Sequence, residues 1–76
     1  MDENQIVLKI KNITAIVSKR CGCSINMDKN LGHYLKVDTI LEFKRKILSD
    51  LNYDLSDTDV NKYSIYQLAN LIKKHS

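Results

Sequence analysis

Seventy-six residues suffice for one small domain and leave no room for a second. With 43% hydrophobic and 28% charged residues the chain is too apolar for intrinsic disorder, and it lacks the run of some 18 apolar residues that a membrane span requires. A net charge of +3 does not by itself imply a nucleic-acid partner.

Only two glycines and no proline are present. A β-sandwich or barrel needs turn residues at roughly every 8–12 positions, so a helical bundle is the expectation. The opening "MDENQIVLKI" is acidic and has no basic, cleavable leader pattern, which reads as the start of a mature cytoplasmic protein.

Ile6, Ile10, Ile13 and Val17 fall at i, i+4, i+7 and i+11, one face of an amphipathic helix. Asp2 is its expected N-cap, with Gln5 three residues on, and Gly22 its expected stop. The β-branched content of "IVLKIKNITAIV" also suits a strand, but the helical period runs over twelve residues and the alternation over four. Residues 22–37 read as a long irregular segment held to the core by Ile25, Met27, Leu31, Tyr34 and Leu35. A second helix is expected from Asp38 or Thr39, with Ile40, Phe43, Ile47, Leu48 and Leu51 as its buried stripe. "SDTDVNKY" has room for a short third helix around Val60. Ser64 and Gln67 form a capping box for the last helix, whose inner face is Ile65, Leu68, Ala69 and Ile72. Lys73 and Lys74 close it at the negative end of its dipole. Residues 1–76 thus read as one all-α domain: a small four-helix bundle with a long first helix, a long loop, helix two, a short helix three and helix four.

At the junction "YLKVDTILEF", Thr39-Ile40-Leu41-Glu42 matches a capping box, with Thr39 as N-cap and Glu42 at the third helical position. The same geometry would hold a hydroxyl at the surface beside unpaired amide donors, a place suited to a phosphate ester. The two roles are compatible.

The order of elements, together with "MDKNLGHYLKVDTI", resembles the acyl carrier protein family, the phosphopantetheine-binding domains. Met27, Leu31 and Leu35 fall where that family has its loop apolar residues. "ILSDLNYDLSDTDV" is similar to the family's end of helix two and the segment into helix three, and residues 64–72 to the opening of helix four. The resemblance spans nearly the whole chain in short pieces. It implies a non-enzymatic carrier of acyl or related groups, held as thioesters on a 4′-phosphopantetheine arm, for fatty-acid, polyketide or nonribosomal-peptide biosynthesis. Thr39 takes the position of the family's attachment serine. Asp38 matches the preceding aspartate, which helps to place the transferase-bound metal and coenzyme A. Lys36, Ile40, Lys44, Arg45 and Lys46 are the implied partner-recognition residues. The implied partners are a phosphopantetheinyl transferase and acyl-transferring or synthase enzymes, and Phe43, Ile47 and Leu31 could shelter an acyl chain or simply pack the core.

The chain departs from the family in four places. Threonine replaces serine, and its extra methyl crowds the oxygen that must attack coenzyme A. Helix two is basic at Lys44, Arg45 and Lys46, where the family offers acidic residues, so its partners would need acidic patches. Lys36 and Val37 stand where the family usually has a small residue. From Thr39 to the end of helix two the spacing looks about two residues short. The alternative reading is a carrier-like fold that acts as an unmodified protein-interaction module, with Thr39 only a helix N-cap.

Other constellations are weaker. Cys21, Cys23 and His33 offer three soft ligands, but Cys-x-Cys is tighter than zinc-site spacing and His75 is a poor fourth ligand. Cys21 is expected to pack at the end of the first helix and Cys23 to lie in the loop, both as free thiols. No Ser/His/Asp arrangement surrounds His33. Lys44, Arg45 and Lys46 spread over roughly 200° of a helix, so they cannot all face one groove, which makes nucleic acid an unlikely partner. Asp50, Asp54, Asp57 and Asp59 should form an acidic edge. Nothing in the sequence demands a dimer.

Overall fold

A computed structural model describes residues 2–74, and His75 lies outside the described residues. Helix α1 spans Glu3–Ser18, α2 Val37–Leu51 and α3 Ile65–Lys74, with 3₁₀ turns at Gly22–Ser24, Leu31–His33 and Val60–Lys62. The described residues are helical with no strands, but they form three α-helices rather than four. A single 3₁₀ turn, Val60–Lys62, stands where the short third helix was expected.

Helix α1 starts as its sequence dictates. The Asp2 carboxylate accepts the Gln5 N–H at 2.9 Å, which satisfies one of the amides that a helix start leaves without a partner. Its end comes earlier than Gly22. Ser18 Oγ donates to Thr14 O at 2.6 Å, Lys19 turns left-handed at φ 59°, and the Arg20 N–H reaches back to Ala15 O at 3.0 Å. These bonds close the last turn without a glycine, at a backbone cost of about 1 kcal/mol for lysine in that conformation. Gly22 instead belongs to the 3₁₀ turn that follows.

The inner face of α1 is Ile6, Val7, Ile10, Ile13 and Val17, all buried, so the helical period prevails over the β-branched composition. Leu8 and Ile16, part of that β-like run, face solvent. Thr14 is fully buried, and its hydroxyl is satisfied by donating to Ile10 O at 2.8 Å.

Both α2 and α3 pack on α1. From α2 come Phe43 and Ile47, each fully buried, with Ile40 and Leu51 packed against them in part. Leu48 does not join the stripe. It lies one residue, about 100°, past Ile47 on the helix, which turns it outward and leaves it 46% exposed. From α3, Ile65, Leu68, Ala69 and Ile72 are buried. Its capping box is reciprocal: Ser64 Oγ accepts the Gln67 N–H at 3.2 Å, while Gln67 Oε1 accepts the Ser64 N–H at 2.9 Å.

The long loop is drawn over the bundle by Ile25, Leu31, Tyr34 and Leu35, all buried, and by Met27 in part. Tyr34 carries its hydroxyl to the loop backbone, accepting the Asn26 N–H at 2.7 Å. The loop is then fixed to the entry of α3, where the Leu31 N–H donates to Tyr63 O at 2.8 Å beside an antiparallel bridge between Asn30 and Ser64.

At this crossing the turns Leu31–His33 and Val60–Lys62 lie against each other, and a Cβ on Gly32 would sit 3.1 Å from Asn61 Cβ and 3.2 Å from Asn61 O. A side chain at Gly32 would thus crowd Asn61, which would have to give by a few tenths of an ångström. Replacing Gly32 by alanine should lower stability by about 1–3 kcal/mol, the range for forcing extra volume into a packed contact. Urea denaturation followed by circular dichroism would measure the shift, with an unchanged m-value.

Candidate functional site

The start of α2 is built differently from the capping box that its sequence suggests. The helix begins at Val37, two residues before Thr39, and Lys36 is the N-cap. Thr39 is thus the third helical residue. Its Oγ1 turns back to accept the Lys36 N–H at 2.7 Å and to donate to Lys36 O at 3.0 Å. The reason is that lysine has no acceptor to serve as a cap, and threonine three residues on can supply the oxygen instead. The expected Thr39 N-cap with Glu42 is replaced by this inverted arrangement. Asp38, exposed beside it, accepts the Thr39 N–H at 3.1 Å and places a negative charge in the first turn, where the helix dipole favours it.

Thr39 is half-buried, between exposed Val37 and Asp38 on one side and partly buried Ile40 on the other. A phosphodiester on Oγ1 keeps the lone pair that the Lys36 N–H uses and gives up the hydrogen that Lys36 O accepts. An ester at this oxygen would therefore lose the hydrogen bond to Lys36 O, at a cost of about 1 kcal/mol. Phe43, Ile47 and Leu31 are fully buried core residues in this structure.

The expected recognition residues divide. Lys36 and Arg45 are exposed, Lys44 and Lys46 are half-buried, and Ile40 turns partly into the core. The sequence reading overlooked a second apolar row on α2. Val37, Leu41 and Leu48 are 86%, 64% and 46% exposed and fall at i, i+4 and i+11, a spacing that was available in the sequence. Arg45 continues this row between Leu41 and Leu48. Two open clefts flank it: one of about 450 Å³ bordered by Asp38, Glu42 and Lys46, the other of about 290 Å³ bordered by Lys44, Asp54 and Ser56. Asp54 accepts the Ser56 N–H at 2.9 Å, which, with a smaller contribution from Lys44, holds its carboxyl below the ordinary aspartate range. Asp50, in the last turn of α2, and Asp54, Asp57 and Asp59, beyond its end, are all exposed.

No family model, curated protein or solved structure matches this chain.

Among the described residues, no group of three or more His, Cys, Asp or Glu side chains is placed to hold a metal ion, and no helix is long and apolar enough to cross a membrane. His33 is exposed and meets the ring of Tyr34 edge-on, with centroids 5.1 Å apart. Cys21 does not pack against α1 as expected. It is exposed, as is Cys23, because α1 has already ended at Ser18.

Thr39→Val should destabilise the fold by about 1 kcal/mol through loss of the bonds to Lys36, whereas Thr39→Ser should retain most of that stability. Thermal unfolding of the two variants beside the wild type would check the difference.

Proposed function

We propose that this chain is a divergent carrier domain that holds acyl or related groups as thioesters on a 4′-phosphopantetheine arm at Thr39. The observation that carries the reading is the placement of Asp38 and Thr39 in the first turn of α2, at the surface, directly after a long loop whose apolar residues are folded onto the bundle. In this reading Asp38 helps to place the transferase-bound metal and coenzyme A. The outer row Val37, Leu41, Arg45 and Leu48 forms the docking face, with Lys36, Lys44 and Lys46 at its margins. An exposed apolar row beside basic residues suits partners that offer an apolar contact rimmed with carboxylates. The domain itself catalyses nothing and works as a monomer in the cytoplasm.

The two hydrogen bonds between Thr39 Oγ1 and the Lys36 backbone favour a second reading, an unmodified interaction module. There the threonine serves only the helix start, and the α2 face does the binding.

Intact mass after incubation with coenzyme A and a broad-specificity phosphopantetheinyl transferase separates the two. The carrier reading expects one phosphopantetheine per chain in the wild type and none in Thr39→Ala. Addition to Thr39→Ser alone would mean that the fold docks this transferase while the threonine methyl blocks it. The carrier reading would then hold only if a dedicated transferase modifies the wild type. No addition to any of the three supports the interaction module.

A further inference from the structure

Cys21 and Cys23 lie apart from the α2 site, and nothing in the proposed function uses them. Both are exposed, and their sulfurs are in direct contact, 2.7 Å apart. Their turn is held by its own backbone. The Ser24 N–H and Oγ donate to Cys21 O at 2.9 Å and 2.7 Å, and the Ile25 N–H donates to Gly22 O at 3.2 Å. The intervening residue, Gly22, has no side chain to separate the thiols, and a Cβ there would meet only Lys11 Cε, at 3.9 Å. Cys23 also lines an open cleft of about 350 Å³ together with Met27, Asp28 and Tyr66. The two thiols are thus preset against each other and open to solvent, with Cys23 at the edge of a cleft.

We propose that Cys21 and Cys23 form a thiol–disulfide exchange site that takes low-molecular-weight disulfides of the glutathione class. The Cys21 thiolate attacks one sulfur of the small disulfide. That S–S bond breaks, one small thiolate leaves, and a mixed disulfide remains on Cys21. Cys23, as thiolate, then attacks the Cys21 sulfur and expels the second small thiolate, closing a Cys21–Cys23 disulfide. Two electrons pass from the cysteine pair to the small disulfide, and the two thiol protons end on the two released thiols. The order of attack follows from the pair's asymmetry. The hydrogen bond from Cys23, aided by smaller effects that include the Lys11 cation, pulls the Cys21 thiol below its usual range, and the same bond pushes Cys23 up. The lower thiol is the better attacking group near neutral pH and the higher one resolves.

The test is to incubate the chain with oxidised glutathione without oxygen, block free thiols with a maleimide and read intact masses. Wild type should become two hydrogens lighter, resist the maleimide, stay monomeric on a non-reducing gel and release two glutathione thiols per chain. Cys23→Ser should stop at one glutathione adduct on Cys21. Cys21→Ser should likewise stop at one glutathione adduct, on Cys23. Both cysteines are exposed, so the variants should keep the helical circular dichroism of the wild type. Wild type that keeps its adducts without internal closure would overturn the proposal. So would cross-linking between chains.

Discussion

The fold depends on one apolar face being large enough for two partners. Helix α1 presents Ile6, Val7, Ile10, Ile13 and Val17, and both α2 and α3 bury their stripes against it. Helix α3, with ten residues, could not hold itself in water, and α2, with 15, sits at the margin, since isolated helices below roughly 12–15 residues are marginal. Their helicity is stabilised by packing on α1. This explains why the charged residues collect on the outer sides of α2 and in the segment after it, where they cost the core nothing.

That constraint also positions the candidate site. Phe43 and Ile47 turn one side of α2 inward, so Val37, Leu41 and Leu48 must look out. The surface that a partner would meet is fixed by what the core takes from the other side of the same helix. Lys36 starts the helix without an acceptor of its own, and Thr39 is drawn into the capping role. The threonine is therefore structural at its present address, whatever else it carries.

The core was largely legible in the sequence. The inward faces of α1 and α3, the Asp2 cap and the Ser64–Gln67 box all rest on spacing or on local hydrogen bonding, which a single chain displays directly. Helix ends were less readable, because Lys19 accepted a left-handed conformation that composition assigns to glycine. The start of α2 was misplaced by two residues for a related reason. Capping by a side chain at the third helical position leaves the same residues in the sequence as capping from the first. Leu48 was assigned inward because its spacing fits a helical apolar stripe, but the buried side of α2 is centred on Phe43 and Ile47, one position away. The pairing of the two thiols depends on how the 3₁₀ turn folds, and no pattern of residue types encodes that. The close approach of Gly32 to Asn61 was equally invisible, since it joins positions far apart in the chain.

The bridge between Asn30 and Ser64 closes the chain into a loop that contains the whole of α2. Closing a loop costs entropy that grows only with the logarithm of its length, so a doubling adds about 0.6 kcal/mol. The polar connection over residues 52–59 lies inside that loop and carries Leu55, with Tyr53 in part, into the core. Related chains can therefore lengthen or shorten this stretch on either side of Leu55 while the crossing that ties the long loop to α3 stays closed. Variation in chain length within this lineage should collect there, and the distance from Thr39 to the bridge along the sequence is free to drift while its place in space is kept.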